Sequence, residues 1–191
     1  MPVMHRQRGF SLIELMVTLV LLAIVLAAAI PSFGNWIANS RVRSVAEELQ
    51  NGLRAAQTEA VRRNRQVVFA LTNETPALAA TPAANGANWF VRALPIVAGE
   101  STDGFYVSGG SFGQRAGVTV TGPALVCFNS VGRQVANAST GLGANCAPAD
   151  PIAYDVSRSG SDRAMRVQVF LGGRIRLCDP AKSIATQPDG C

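Results

Sequence analysis

Residues 15–33 contain no Asp, Glu, Lys or Arg, and this run limits what the chain can become more than any other feature. As an α-helix it would be about 28 Å long at 1.5 Å per residue, close to the ~30 Å hydrocarbon core of a bilayer. Immediately before it stands Glu14, a residue type that costs about 2.5–3.5 kcal/mol at mid-bilayer on insertion scales, so its position calls for a reason. The chain has 191 residues, 48% hydrophobic and 15% charged, enough for this segment and one modest domain. The remainder is polar and dotted with Gly and Pro, the texture of a water-soluble domain. His5, Arg6 and Arg8 ahead of the run also suit a secretory signal, with Ala27, Ala28 and Ala29 as small residues for cleavage. Ile30 and Pro31 follow, however, and the helical pattern continues beyond them. A plain single-span anchor is the other alternative, and it leaves Glu14 without a role.

The stretch Arg8-Gly9-Phe10-Ser11-Leu12-Ile13-Glu14-Leu15 resembles the prepilin motif of type IV pilins and type II secretion pseudopilins. The resemblance implies cleavage by a prepilin peptidase between Gly9 and Phe10 and N-methylation of the new terminus. Counted from Phe10, Glu14 is the fifth residue and Pro31 the twenty-second, both in keeping with the family pattern. Glu14 is then an assembly residue: in a helical fibre the amine of a neighbour's Phe10 can pair with it in dry surroundings, which makes a buried carboxylate tolerable. Pro31 lacks an N–H and is expected to kink or locally melt a long helix.

Periodicity resumes from residue 41 to residue 65. Val42, Val45, Ala46, Leu49, Leu53, Ala56 and Ala60 recur at spacings of three and four and form one apolar stripe, expected to cover a sheet. Arg43 with Glu47, and Glu59 with Arg63, stand four apart on the opposite side and can pair. Arg62, Arg63 and Arg65 complement the helix C-terminus, and a solvated helix end is favoured over a ligand site for them.

Beyond Arg65 the texture becomes short β-like runs at 66–72, 89–97, 118–121, 125–128, 152–156, 165–170 and 174–178. The intervening 77–88, 99–117 and 137–151 are rich in Ala, Gly, Pro, Ser and Asn and read as loops. The expected fold class is α+β and type IV pilin-like: a long N-terminal helix, membrane-spanning in its first half and amphipathic in its second, packed on a C-terminal antiparallel β-sheet. The expected divisions are a leader 1–9, a transmembrane and assembly helix 10–34, its amphipathic continuation 35–65, and a periplasmic β-rich domain 66–191. Residues 41–64 and the strand Val67-Val68-Phe69 resemble the FimT/GspH group of minor pilins and pseudopilins. Many members of that group have Arg where this chain has Gln57.

Cys127, Cys146, Cys178 and Cys191 all fall in the part that would lie outside the cytoplasm, and four cysteines allow three pairings. Nearest-neighbour pairing, Cys127 with Cys146 and Cys178 with Cys191, is expected, the second tying down the C-terminal tail. Zinc is disfavoured, since the chain has no CxxC and its single histidine lies in the leader. There is no G-x-S-x-G, no P-loop and no paired acids, and Gly109-Gly110-Ser111-Phe112-Gly113 does not join a strand to a helix, so neither an enzyme nor a cofactor is expected.

The run MRVQVFLGGRIRLC, residues 165–178, reads as a hairpin around Gly172-Gly173. A three-residue loop at 171–173 pairs Val169 with Ile175 and Val167 with Leu177, keeping apolar residues on one face. Arg166, Gln168, Phe170, Arg174 and Arg176 then share the other. Gly173-Arg174-Ile175-Arg176 resembles the G-R-x-R motif of FimT proteins, which implies DNA contact during natural transformation. A solvated edge strand with protective charges accounts for the two arginines equally well. Net charge is +5 for the whole chain, from 17 basic and 12 acidic residues, and +3 once Arg6 and Arg8 are removed with the leader. Weak, phosphate-directed binding suits that balance. The sequence thus points to a minor type IV pilin in the inner membrane with its domain in the periplasm. Expected partners are prepilin peptidase, other pilins, the assembly platform and DNA. A structural minor pilin without DNA binding and a GspH-like secretion pseudopilin remain open alternatives.

Overall fold

The computed structural model describes residues 11–112 and 117–191, with the side chains of residues 28–32 outside that description. Gly9 and Phe10, the expected cleavage pair, therefore lie outside the described residues. Among the described residues a single long helix, α1 (Leu12–Arg63), precedes eight strands: β1 (Val67–Thr72), β2 (Asn88–Ala93), β3 (Tyr106–Ser111), β4 (Val118–Thr121), β5 (Leu125–Phe128), β6 (Ile152–Arg158), β7 (Met165–Val169) and β8 (Ile175–Cys178).

Helix α1 opens on a reciprocal capping box. The Ser11 hydroxyl accepts from the Glu14 amide at 3.3 Å, and the Glu14 carboxylate accepts from the Ser11 amide at 2.9 Å. Asn64 closes the helix in the left-handed region, φ 50° and ψ 42°. Between these ends the helix runs through Pro31 without interruption, so the expected local melting is not found. One lost N–H···O bond does not outweigh the helix-forming Leu- and Ala-rich turns before Pro31 and the packed turns after it. Among the described residues no helix is long and apolar enough to cross a membrane. Residues 12–27, the apolar part with described side chains, make about 24 Å of helix.

All seven residues of the stripe expected from periodicity, Val42 to Ala60, are fully buried. They lie between two four-stranded antiparallel sheets, ordered β3-β2-β1-β5 and β4-β6-β7-β8. Gly52 permits the close approach, since a Cβ there would come within 3.0 Å of the Phe69 ring and 3.1 Å of Trp89. Phe69 stacks on Trp89 at 5.8 Å and meets Tyr154 edge-on at 6.0 Å, joining the two sheets through one core. Two sheets form where the sequence suggested one, because β4 pairs with β6 and not with its chain neighbour β5. The chain crosses between sheets at Gly122, which lies so flat against the Tyr154 ring that no side chain fits there.

Strand β3 falls in a stretch read as loop. Its glycines are not loop signals but packing requirements: a Cβ on Gly109 would meet Pro76 at 2.5 Å, and one on Gly110 would meet the Trp89 indole nitrogen at 2.7 Å. Strand β2 ends at Ala93, short of the expected 97, because Pro95 has no N–H for the ladder and Ile96 and Val97 face solvent. Strands β1 and β5 are buried on both faces. Loops 77–88 and 137–151 cover the outer face over Val68, Ala70, Phe90, Leu94 and Leu125. That cover is held by the Cys127–Cys146 disulfide and by buried Arg92, which donates to the Leu78 carbonyl at 2.7 Å.

Candidate functional site

Three places carry the features the sequence singled out: the start of α1, the end of the β7–β8 hairpin, and the last turn of α1. At the first, Leu12, Ile13, Leu15, Met16, Val17 and Leu19 are all exposed, and the exposed apolar residues continue to Leu26. A helix that is hydrophobic all round needs lipid or other helices about it. Glu14 projects from this segment and, in the single chain, is bonded to the amide of Ser11. The sequence reading gave Glu14 a role but missed Ser11. The signal was there, since Ser followed by Glu three residues on and then an apolar run is a capping box.

The hairpin has the expected register, with Val169 opposite Ile175 and Val167 opposite Leu177. Gly173 adopts φ 91° and donates to the Phe170 carbonyl at 2.8 Å, while the Phe170 amide donates to the Arg174 carbonyl at 2.9 Å. A Cβ on Gly173 would also run into the Gly132 carbonyl oxygen, so this glycine is fixed twice over. Both turns hang on one side chain of α1. Gln57 Nε2 donates to the carbonyls of Gly132 and Gly173, each at 2.7 Å. In the sequence Gln57 stands out only as a departure from a resemblance; nothing local marks its role, because its partners lie 75 and 116 residues away.

Gln168 and Arg176 stand opposite each other on the expected face, with Arg166 beside them, but the guanidiniums do not form a free patch. Arg166 is held bidentately by Asp155, at 2.7 and 3.1 Å, and this hydrogen bonding raises its pKa further. Arg176 Nη2 donates to the carbonyls of Gly190 at 2.6 Å and Pro188 at 3.0 Å, pinning the C-terminal loop that the Cys178–Cys191 disulfide closes. Cys178 Sγ lies 3.5 Å from the Gln168 side-chain Oε1. Only Arg174 projects to solvent, its guanidinium 4.0 Å above the Phe170 ring. The expectation of three arginines all facing water is corrected accordingly: long donors beside unpaired loop carbonyls and a carboxylate take those partners first.

The cluster at the end of α1 is structural. Arg62 and Arg63 both clasp Glu59, at 2.7 Å each, and Arg63 also donates to the Gly104 carbonyl. The hydrogen bond from Arg62, opposed by desolvation and assisted by Arg63, holds the Glu59 carboxyl down at about 2. Arg65 pairs with Glu100 at 2.6 Å and lies 5.0 Å from the Phe105 ring centre. Arg43 pairs with Glu47 at 2.8 Å. Among the described residues no group of His, Cys, Asp and Glu is arranged to hold a metal ion.

Residues 45–173 match the family model described as type II transport protein GspH, and that is well over half of the chain. The chain belongs to the GspH family. Residues 4–30 of this GspH-family protein match the prokaryotic N-terminal methylation motif. No curated protein sequence matches it. Among solved structures, the type IV minor pilin FimU of Pseudomonas aeruginosa superposes with a TM-score of 0.52 at 18% identity, covering 74% of this chain and 93% of FimU. The minor pseudopilin EpsH from the type 2 secretion system of Vibrio cholerae is 13% identical with a TM-score of 0.47, covering 74% of this chain and 99% of EpsH. The likeness to FimU carries the type IV pilin-like α+β fold. The GspH-family protein is a minor pilin or pseudopilin, a structural subunit and not an enzyme, whose associates are other pilin-type subunits and their assembly machinery.

Proposed function

We propose that this protein is a minor type IV pilin held in the inner membrane by residues 10–34, with its β-rich domain in the periplasm. Cleavage by prepilin peptidase between Gly9 and Phe10, with N-methylation of Phe10, precedes its entry into the fibre. The observation that carries this reading is an apolar helix exposed on all sides from Leu12 to Leu26, with one carboxylate at its start. In the single chain Glu14 is bonded to its own Ser11; in a fibre the amine of a neighbour's Phe10 offers a charged partner in a drier place, a stronger bond. The full chain with Glu14→Ala is expected to insert and be cleaved normally yet be absent from sheared fibres. Normal incorporation would refute the pairing.

DNA contact in natural transformation belongs to the same reading, and Arg174 is the group that would make it, being exposed and braced on Phe170. A guanidinium on one phosphate carries no base information, so binding is expected to be indifferent to sequence. One neutralised phosphate gives a log–log salt slope of about −0.9 on duplex DNA. Titration of the fragment 35–191 with labelled duplex at several salt concentrations tests this: Arg174→Gln should flatten the slope, and a wild-type fragment without salt-dependent binding would remove DNA from its partners. The second reading, a pseudopilin of type II secretion, is favoured by the description of the matching family.

A further inference from the structure

A groove of about 360 Å³ opens where α1 leaves the β domain, lined by Trp36, Asn39, Ser40, Arg43, Arg163 and Met165. We propose that it takes the phosphodiester headgroup of a membrane phospholipid and thereby sets the height and orientation of the domain above the bilayer. This rests on the membrane-anchored reading above.

Position along the helix is the first argument. Between Glu14 and Arg41 the chain has no charged residue, and residues 15–40 as a continuous helix span about 39 Å. That is the ~30 Å hydrocarbon core together with most of the headgroup regions, which bring a bilayer to about 40–45 Å. With Glu14 at one face of the membrane, Trp36 falls in the opposite interface and Arg41 and Arg43 just beyond it. Trp36 is 68% exposed, whereas Trp89 is buried with its indole N–H held by Glu48. An exposed indole with an apolar body and one polar N–H is suited to the membrane–water boundary.

Charge complementarity is the second. Asn39 Oδ1 accepts from the backbone amides of Asp162 at 3.0 Å and Arg163 at 3.3 Å, locking the β6–β7 turn onto the helix. This brings Arg163 to the lining of the same groove as Arg43. Neither arginine is used up by a carboxylate: Arg43 meets Glu47 at 2.8 Å through Nε alone, a water-screened surface pair, and Arg163 lies 3.8 Å from Asp179. Each guanidinium has five N–H donors in a planar fork suited to phosphate oxygens, so most of that capacity is left to a ligand. Ser40 adds a hydroxyl, and Trp36 and Met165 give an apolar floor for the glycerol and first methylenes.

The test uses the full chain in vesicles of phosphatidylcholine alone or mixed with phosphatidylglycerol, whose headgroup lacks a competing cation. Flotation reports anchoring; Trp36 emission reports the groove, with Trp36→Phe as the blank that leaves only Trp89. The expected result is a blue shift of Trp36 emission and slower amide exchange at Asp162 and Arg163 with phosphatidylglycerol. That lipid-dependent part should be lost in Arg43→Gln with Arg163→Gln while flotation and the folded spectrum are unchanged. A floating chain whose Trp36 responds equally to both lipids, or whose response survives the double substitution, overturns the proposal. Shielding of Trp36 only within fibres would make the groove a subunit contact and overturn it as well. A chain that fails to float refutes the membrane-anchored reading itself, and the headgroup site with it.

Discussion

Gln57 ties α1 to turns from both sheets, and its removal should be felt at both. Gln57→Leu keeps the helix and roughly the volume while taking away both donors, leaving the carbonyls of Gly132 and Gly173 without them. An intramolecular hydrogen bond contributes about 0.5–1.5 kcal/mol net, and an orphaned buried acceptor costs about 1–3 kcal/mol. Gln57 is half-buried, so water recovers part of the loss, and about 2 kcal/mol for the pair is a fair sum. For a domain of this size that is roughly a 4–8 °C fall in the thermal midpoint. Gln57→Arg retains N–H donors at the same place and should fall much less. The fragment 35–191 suits the assay, because every buried hydrophobic residue among those described is Ala38 or later. Near-UV circular dichroism would give the midpoints, and amide exchange at Gly132 and Gly173 would localise the effect. An unchanged midpoint for Gln57→Leu, or protection at both turns as in the wild type, would refute the peg.

Replacing Cys178 and Cys191 together by Ser opens a loop of sequence separation 13 and should cost roughly 3 kcal/mol on the chain-entropy account. It should also expose residues 179–190 to limited proteolysis, although Arg176 still holds two carbonyls of that loop. Glu59 sets an acid limb of the stability curve. Its carboxyl is held at about 2 in the folded state against 4.5 as the ordinary value, so its contribution is full above pH ~4.5 and lost as pH falls toward 2. Thermal midpoints of wild type and Glu59→Gln should therefore converge over that interval, and a constant gap would contradict the assignment.

The elements most legible in the sequence are those whose signal is local. The stripe from Val42 to Ala60 and the hairpin from Met165 to Cys178 each repeat a period that only one buried face satisfies; the stripe is legible residue by residue and the hairpin in its register, its strands each ending one residue short of the turn-side bounds expected. Strand β3 was not, because Gly109 and Gly110 owe their identity to Pro76, Trp89 and Glu48, which approach from elsewhere in the chain. The division into two sheets was hidden for the same reason: nothing near Gly122 announces that a tyrosine ring from β6 will lie on it. In the candidate sites, residue type was readable and partnership was not. Arg166, Arg174 and Arg176 could be placed on one face of the hairpin from alternation and the register that its buried face selects. That Arg166 would find Asp155 and Arg176 the carbonyls of Pro188 and Gly190 depends on how β6 and the C-terminal loop come to rest.

Residence of the chain in a fibre with a processed terminus is read out by mass analysis of the protein recovered from sheared, purified fibres. The expected chain begins with N-methyl-Phe10 and carries both disulfides, Cys127–Cys146 and Cys178–Cys191. Absence of the chain from fibres, or a mature terminus after Ala29, would contradict it.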